Sequence, residues 1–510
     1  MAGLLIAGTT SDAGKSLIVA GLCRVFAREG VQVAPFKSQN MSNNSMVCPD
    51  GTEIGRAQWV QAVAARAVPE AAMNPVLLKP GSDRTSHVVL MGQPHGRLGT
   101  GEWATGRREL ARAAFEAYDD LAARYDLVVS EGAGSPAEVN LRGGDYVNFG
   151  LARAKNLPVV VVGDIDRGGV LAAMYGTWGI VDADDRATLA GWIVNKFRGD
   201  VELLRPGLDI LAERTDLPVY GVVPWLPDTW LDGEDALTLG AWRRSGSTAD
   251  AATGSQGLRV AVVGFTRISN ATDADALAAE PGVHVEVTTD ADTLAAADLV
   301  VLPGSRSTLG DLAWLRERGL DRVITERARH GRPVLGICGG YQMLGGLIVD
   351  DDAVETPTAQ RVRGLGILPV DIAFSPEKTL GTPTGHWRGH DVRAYEIHHG
   401  RAVFTASPAA ADHETGHDAG SDEPATDSVE PFLDGVRAGA VFGTHWHGAF
   451  ENDGFRREFL QVVARMAGRD WTPGTGPGFA TQREAMLDRV ADALVDSLDM
   501  AAIRRLAGIA

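Results

Sequence analysis

Short apolar runs recur along the chain, and each is followed by a polar turn and then a longer alanine-rich stretch. Residues 4–8, 127–129 and 159–162 are such runs, and 258–263 begins a similar series later in the chain. Runs that are apolar at successive positions are typical of strands buried on both faces, whereas the alanine-rich stretches favour helices. The pattern therefore predicts an α/β protein with two doubly wound, mostly parallel-sheet domains.

The strength of this patterning changes along the 510 residues and predicts the domain organisation. It weakens after Trp242 into small and polar residues, which are typical of a linker. The predicted parts are a first domain (1–242), a linker (243–257), a second domain (258–470) with an acidic loop insertion (407–431), and a C-terminal helical tail (471–510). A helix is expected at 482–507, and its apolar stripe consists of Met486, Val490, Leu494 and Leu498.

Composition and charge narrow the class of protein. The formal net charge of −18 argues against nonspecific binding to nucleic acid. The three cysteines show no pairing pattern, which favours a reducing compartment. Neither a signal peptide nor an apolar stretch long enough for a membrane helix is evident, so we expect a cytoplasmic protein without a membrane partner.

Cys338 is the strongest candidate nucleophile. The segment GICGGYQML (336–344) joins a short apolar strand to a helix through glycines, which permit a strained turn that exposes the thiol. The positive end of the new helix lowers the pKa of a thiol, and the N–H of Gly339 is placed to stabilise an oxyanion. The alternative is a buried core cysteine without a catalytic role.

Two histidines are candidates for the base that such a nucleophile requires. His445 and His447 lie in the segment GTHWHGAFEN (443–452), where an apolar strand runs into a loop. Because they are two residues apart, both would face the same side of an extended strand, and only one is needed to accept the thiol proton. A metal site is the alternative, although Cys23 and Cys48 lack the spacing of zinc ligands.

A phosphate-binding loop is predicted at the amino terminus. The strand at 4–8 leads through a Gly-Lys-Ser turn into a helix at 17–28. Successive backbone N–H groups at a helix start bind anions. We expect the loop residues Thr9, Asp12, Gly14, Lys15 and Ser16 to bind ATP, with Lys15 on the terminal phosphates and Ser16 on Mg²⁺.

Polar residues at the ends of other strands are candidates for the same site. Glu131 ends the strand at 127–129 and could hold Mg²⁺ beside the phosphates. Lys37 follows a short apolar stretch and supplies a second cation for phosphate or for an acyl phosphate.

Further strand-end candidates could contact substrate or phosphate. Asp164, Asp166 and Arg167 follow the valine run at 159–162. Asn40 could add an amide donor, and a turn or capping role is the alternative for it. For any single acid, an ordinary solvated loop is the alternative explanation.

The second half of the chain resembles the glutamine amidotransferases of the triad class, in the branch found in cobyric acid synthases. The resemblance rests on GICGGYQML, GTHWHGAFEN and YEIHHG (395–400), and it implies a flavodoxin-like fold with Cys338 as nucleophile and His447 as its histidine. LPGS (302–305) resembles the oxyanion loop and implies a role for Gly304. Ala449 stands where most triad enzymes have Glu, which implies a Cys–His dyad or an orienting residue elsewhere. His445 stands where the branch often has tyrosine.

The first half resembles dethiobiotin synthetase in its long phosphate loop. It also resembles the synthetase half of the cobyric acid synthases in four segments, namely PFKSQNMSNNS (35–45), SEGAGSPAE (130–138), GDIDRGG (163–169) and NKFRGD (195–200). The resemblance implies ATP and Mg²⁺ as cofactors, and glutamine and adenosylcobyrinic acid a,c-diamide as substrates. The reaction it implies is amidation at positions b, d, e and g. Two alternatives are a related ligase acting on the a and c carboxylates of cobyrinic acid or on a cell-wall lipid precursor, and an ATP-sensing regulator.

Overall fold

A computed structural model gives the fold of residues 2–80, 85–99, 103–227, 229, 243–245, 257–405 and 429–509. The described residues form two compact units. The first comprises residues within 1–234 together with 481–510, and the second comprises residues within 235–480. No helix of this described part combines the length and the apolar character needed to cross a membrane.

The described residues of the first unit form twelve strands and nine α-helices. Its strands are β1 (Gly3–Gly8), β2 (Val33–Phe36), β3 (Gln39–Met41), β4 (Ser45–Val47), β5 (Glu53–Gly55), β6 (Val76–Pro80), β7 (Thr85–Leu90), β8 (Gln93–Gly99), β9 (Leu127–Glu131), β10 (Val159–Asp164), β11 (Leu189–Phe197) and β12 (Val219–Pro224). The helices before the second unit are α1 (Lys15–Arg28), α2 (Arg56–Ala64), α3 (Trp103–Arg124), α4 (Phe149–Lys155), α5 (Val170–Ile180), α6 (Ala183–Arg186) and α7 (Val201–Thr215).

The main sheet of this unit is parallel throughout, in the order β12-β11-β10-β1-β9-β2. Successive residues of a strand belong to opposite cores: Leu4 and Ile6 of β1 lie in one apolar cluster, and Leu5 and Ala7 in another. Both faces are therefore covered, which is why these strands are apolar at consecutive positions. The predicted α/β class with doubly wound parallel sheets is confirmed.

The C-terminal helices belong to the first unit rather than to a separate tail. The last two described helices of the chain are α14 (Phe479–Ser497) and α15 (Met500–Ala507), which follow the helices of the second unit. The predicted apolar stripe is buried in the same apolar cluster as Ile18 and Leu22 of α1; its members are Met486, Val490 and Leu494 of α14, and Leu498, which follows that helix. The single helix predicted at 482–507 is therefore two helices. Leu498 makes a β-bridge to Gly221 between them, and Asp499 caps the start of α15.

The second unit contains sixteen strands and six α-helices among its described residues. The strands are β13 (Arg243–Ser245), β14 (Leu258–Val263), β15 (Ile268–Ser269), β16 (Val283–Thr288), β17 (Leu299–Leu302), β18 (Gly304–Ser305), β19 (Val334–Ile337), β20 (Leu347–Asp350), β21 (Gln360–Arg363), β22 (Val370–Gly381), β23 (Thr384–Trp387), β24 (His390–Arg393), β25 (Glu396–Phe404), β26 (Val429–Phe432), β27 (Gly435–Ala438) and β28 (Val441–Thr444). The helices are α8 (Asp273–Ala278), α9 (Ala291–Ala296), α10 (Thr308–Glu317), α11 (Leu320–Arg329), α12 (Gly339–Leu344) and α13 (Asp453–Met466).

The main sheet of this unit is parallel at its centre and antiparallel at its edges. Its order is β13-β16-β14-β17-β19-β28-β27-β26, with antiparallel pairing for β13, β27 and β26. Both edge strands begin or end in segments predicted to be irregular. β13 lies in the predicted linker 243–257, and β26 starts within the predicted insertion 407–431. Residues 246–256 and 406–428, which make up most of those two segments, lie outside the described residues.

Candidate active sites

Cys338 stands at a sharp turn between β19 and α12. Its backbone has φ 49° and ψ −110°, a conformation that a residue with a side chain rarely adopts. The flanking glycines permit close packing beside it: a Cβ at Gly340 would lie 2.0 Å from the carbonyl oxygen of Leu302, and one at Gly339 2.8 Å from the N of Ser305. The predicted strained turn is thus present, and its glycines are required by contact.

His447 is held by a carboxylate that the sequence analysis did not identify. Its Nδ1 lies 2.6 Å from Oδ2 of Asp273, and the N–H of Gly448 donates to Oδ1 of the same carboxylate at 2.6 Å. Nδ1–H donation to Asp273 leaves the opposite ring nitrogen, Nε2, for proton transfer. Nε2 has no hydrogen bond of normal geometry within the described residues.

Asp273 takes the orienting position that Ala449 does not fill in this chain. Ala449 is fully buried, so its position lies inside the core near the site. Asp273 begins α8, 174 residues before His447. Only the alanine at 449 signalled that the orienting residue lay elsewhere, and no local motif marks Asp273.

The charges of this pair support a nucleophilic thiolate. Burial by itself raises the pKa of the Cys338 thiol, but the nearby charge of His447 and the N–H of Gly339 lower that pKa overall. Burial opposes the charged form of His447, yet Asp273 and Cys338 raise its pKa to about 10. Asp273 thus stabilises the imidazolium of His447, and that cation in turn favours ionisation of the Cys338 thiol.

His445 has a separate partner and a different electrostatic character. Its Nδ1 lies 2.8 Å from Oδ2 of Asp434, and its ring stacks on His398 with centroids 4.2 Å apart. Burial lowers the pKa of His445 despite that carboxylate, so the ring is neutral at pH 7. Among the described residues no group of three or more His, Cys, Asp or Glu could hold a metal ion.

Gly304 lies in a two-stranded sheet beside the nucleophile. β18 pairs antiparallel with β15, with Gly304 opposite Ser269 and Ser305 opposite Ile268. A Cβ at Gly304 would lie 2.6 Å from the Ser269 carbonyl oxygen and 3.0 Å from Cε1 of His447. The predicted oxyanion loop therefore adjoins the ring of His447.

The amino-terminal loop has the form expected of a phosphate cradle. Gly14 adopts φ 92°, and α1 begins at the next residue. The Nζ of Lys15 donates to the carbonyl oxygens of Thr10 (2.9 Å), Ser11 (2.9 Å) and Gly134 (3.2 Å), which keeps the lysine folded over the loop. The N–H of Thr9 donates to Val162, which ties the loop to the sheet.

Glu131, at the end of β9, brings together two other predicted residues, Ser16 and Lys37, and one further residue, Gln61. Its carboxylate accepts from Ser16 Oγ at 2.8 Å, Lys37 Nζ at 2.9 Å and Gln61 Nε2 at 2.6 Å. Burial opposes its ionisation, but the charge of Lys37 and the hydrogen bonds from Gln61 and Lys37 lower its pKa. A buried, ionised carboxylate beside a serine hydroxyl is a donor set that suits Mg²⁺. Gln61, on α2, was not predicted.

A second group of predicted residues forms ion pairs beside the loop. Lys196 Nζ lies 2.8 Å from Asp164 and also donates to the Asp12 carbonyl oxygen, while Arg167 pairs with the Asp12 carboxylate at 2.6 Å. These contacts join the loop to the ends of β10 and β11.

The remaining two predicted contacts have other partners. Asp166 pairs with Arg198. Asn40 is buried on β3 and donates to Gln58 Oε1 at 2.9 Å.

Comparison with known proteins agrees with both halves of this description. Residues 4–238 match the family described as CobQ/CobB/MinD/ParA nucleotide binding domain, and residues 259–455 match the CobB/CobQ-like glutamine amidotransferase domain. The cobyric acid synthase of Cutibacterium acnes is 57% identical over 99% of this chain and 100% of its own length. Those of Mycolicibacterium gilvum and Mycobacterium tuberculosis are 55% and 54% identical, each over 99% of this chain and 97% of their own. With a nucleotide-binding domain, a glutamine amidotransferase domain and relatives matched over 97% or more of their own length, this chain belongs to the cobyric acid synthase family.

Proposed function

We propose that this chain uses ATP and glutamine to amidate the b, d, e and g carboxylates of adenosylcobyrinic acid a,c-diamide, giving adenosylcobyric acid. The observation that carries the proposal is the Cys338–His447–Asp273 centre, on a chain that also has a phosphate cradle and full-length relatives named cobyric acid synthase.

The glutaminase half follows from the charges of its two catalytic side chains. The Cys338 thiolate attacks the γ-carboxamide carbon of glutamine, and the oxyanion that forms is stabilised by the Gly339 N–H and the adjoining β18 strand. The imidazolium of His447 then gives its Nε2 proton to the leaving nitrogen, so ammonia departs and a glutamyl thioester remains. His447, now neutral, accepts a proton from water as the water attacks the thioester.

The synthetase half follows from the cations around the phosphate loop. A substrate carboxylate attacks the γ-phosphorus of ATP, ADP leaves, and ammonia then displaces phosphate from the acyl phosphate. Lys15 and Lys37 offset the negative charges that meet in this step. Ser16 and Glu131 would hold Mg²⁺, which supplies further charge neutralisation to the phosphates.

The test is a direct assay of the purified protein with glutamine, Mg-ATP and candidate corrinoids, followed by mass spectrometry. We expect four successive exchanges of a hydroxyl for an amino group on the a,c-diamide, with stoichiometric loss of ATP and glutamine. Amidation of cobyrinic acid only at a and c, or of a cell-wall lipid precursor, would replace the proposed substrate. ATP binding without any amidation would indicate a regulator.

A further inference from the structure

Asp311, on α10, is a fully buried carboxylate that the mechanism above does not use. Its Oδ2 accepts a hydrogen bond from Ser305 Oγ at 2.6 Å and lies 3.3 Å from the N of Arg267, while its Oδ1 accepts from Thr266 Oγ1 at 2.6 Å. Burial of a carboxylate is costly unless hydrogen bonds satisfy it. The Ser305 donor belongs to β18, one of the two short strands beside the nucleophile. The other two donors belong to the residues that lead into β15, the second of these strands.

The carboxylate of Asp311 therefore joins the two strands of the β15–β18 sheet. Ser305 is the last residue of β18, and Thr266 and Arg267 lead directly into β15. Ser305 Oγ also accepts from the N–H of Ser307 at 3.0 Å, which fixes its side chain in one orientation. With only two residues in each strand, this sheet depends on such side-chain contacts for its geometry.

The pairing pattern of this sheet determines which N–H of β18 faces the reaction. The N–H of Arg306 donates to the carbonyl oxygen of Arg267 at 2.8 Å, so these two residues form a hydrogen-bonded pair. Such pairs alternate along an antiparallel ladder. The N–H of Gly304, which lies opposite Ser269, is thus directed towards β15. The N–H of Ser305 is directed away from β15.

The N–H of Ser305 lies on the side where the nucleophile stands. The nitrogen of Ser305 is 2.8 Å from the position that a Cβ on Gly339 would occupy. The N–H of Gly339 also helps to lower the pKa of the Cys338 thiol. The backbone of Ser305 therefore packs directly against Gly339, the residue next to the nucleophile.

We propose that Asp311 is a positioning residue that holds Ser305 so that its N–H, together with that of Gly339, stabilises the oxyanion formed from glutamine. The proposal replaces Gly304 with Ser305 as the donor on this loop. It rests on the assignment of Cys338 as the glutaminase nucleophile. Because Asp311 touches neither substrate nor sulfur, its effect passes through Ser305.

The test compares Asp311→Asn and Ser305→Ala with the control Glu317→Gln, an exposed carboxylate on the same helix. Glutaminase kcat and KM are measured beside the rate at which iodoacetamide alkylates Cys338, a reaction that needs the thiolate but forms no oxyanion. Loss of one oxyanion donor costs about 10²–10³ in kcat, so a misplaced donor should cost roughly tenfold or more, with KM and alkylation little changed. Glu317→Gln should match the unmodified protein.

Two further measurements separate positioning from general damage. The aldehyde analogue of glutamine forms a hemithioacetal whose oxygen occupies the oxyanion site, so its affinity should fall in parallel with kcat in both variants. The double variant should be no slower than the slower single variant, because both changes interrupt one contact. An unchanged kcat in both variants, alkylation that falls as far as kcat, or additive losses would each overturn the proposal. Failure of Cys338 to react with iodoacetamide in the unmodified protein would instead contradict the assignment of the nucleophile.

Discussion

At the scale of single residues, the proposed glutaminase centre is a series of three ionisable side chains in which the charge of each depends on its neighbour. Asp273 raises the pKa of His447, and the charge that His447 thereby keeps lowers the pKa of Cys338. All three side chains are buried. Each charge is therefore stabilised by its neighbour rather than by water, and removal of one member changes the protonation of the others.

Cys338→Ala should abolish glutamine-driven amidation while leaving amidation with high ammonium, because only the nitrogen source is lost. The measurement is corrinoid amide formation with each nitrogen source. Cys23→Ala is the matched control, since Cys23 is a core cysteine whose pKa is raised by burial. A folded Cys338→Ala protein that ammonium does not rescue would contradict the division of labour between the two centres.

His447→Asn should eliminate glutaminase turnover, because a neutral amide can neither keep the thiolate nor protonate the leaving nitrogen. His445→Tyr should retain most turnover, since the His445 ring is neutral and bound to Asp434. Glutamate release measured for both variants tests the assignment. An inactive His445→Tyr together with an active His447→Asn would transfer the catalytic role to His445.

Asp273→Asn should narrow the pH range of glutaminase activity from both sides. Without the carboxylate charge the pKa of His447 falls from its raised value of about 10. The alkaline limit of activity therefore moves to lower pH. Because His447 then carries less positive charge, the pKa of Cys338 rises and the thiolate forms only at higher pH. The acid limit of activity therefore moves to higher pH. The profile of kcat/KM against pH measures both limbs. An unchanged profile would show that Asp273 does not control these charges.

At the scale of elements, the features that local sequence determines were predicted and those made by long-range contact were not. The phosphate loop and the Cys338 turn each lie within one strand–turn–helix segment, so glycine positions and apolar runs were sufficient. Asp273 reaches His447 across 174 residues, and Gln61 reaches Glu131 across 70. Contacts between such distant residues depend on how the sheets place their strands, and no local pattern records that.

Lys15→Ala at the start of α1 should reduce amidation by roughly a hundredfold with either nitrogen source, because a cation on the transferred phosphate is lost. Lys155→Ala is the matched control. It removes a lysine of α4 whose Nζ lies 2.7 Å from the carboxylate of Asp119, and its rate of amidation should stay near normal. ATP-dependent product formation is the measurement. Near-normal synthesis by Lys15→Ala would remove this lysine from the phosphate site.

At the scale of the whole molecule, the chain returns to its first unit after completing the second. α14 and α15 complete one face of the first sheet, and Leu494 packs so closely on α1 that a Cβ at Gly21 would lie 2.5 Å from its Cδ1. Arg24 of α1 is buried and pairs with Glu484 of α14 at 2.7 Å. The sequence indicated an apolar stripe on this helix, but not the surface that it covers.

Leu494→Ala should lower the free energy of unfolding of the first unit by about 2–5 kcal/mol, because it removes a fully buried side chain and leaves a cavity. Val495→Ala on the next residue is the control, since Val495 is 48% exposed and its loss should cost about 0.5 kcal/mol or less. Calorimetric or denaturant unfolding of both variants measures the difference. Equal effects would show that the helix contributes little to that core.

The return of the chain to its first unit sets an order for folding during synthesis on the ribosome. When residues 1–234 have emerged, one face of their sheet still lacks the side chains of α14 and α15, so an apolar surface around α1 stays open while 235–480 are translated. The second unit has no such requirement and can close first. A nascent chain arrested before residue 481 would therefore carry a finished glutaminase unit and an unfinished nucleotide-binding unit, and would be the form most in need of a chaperone.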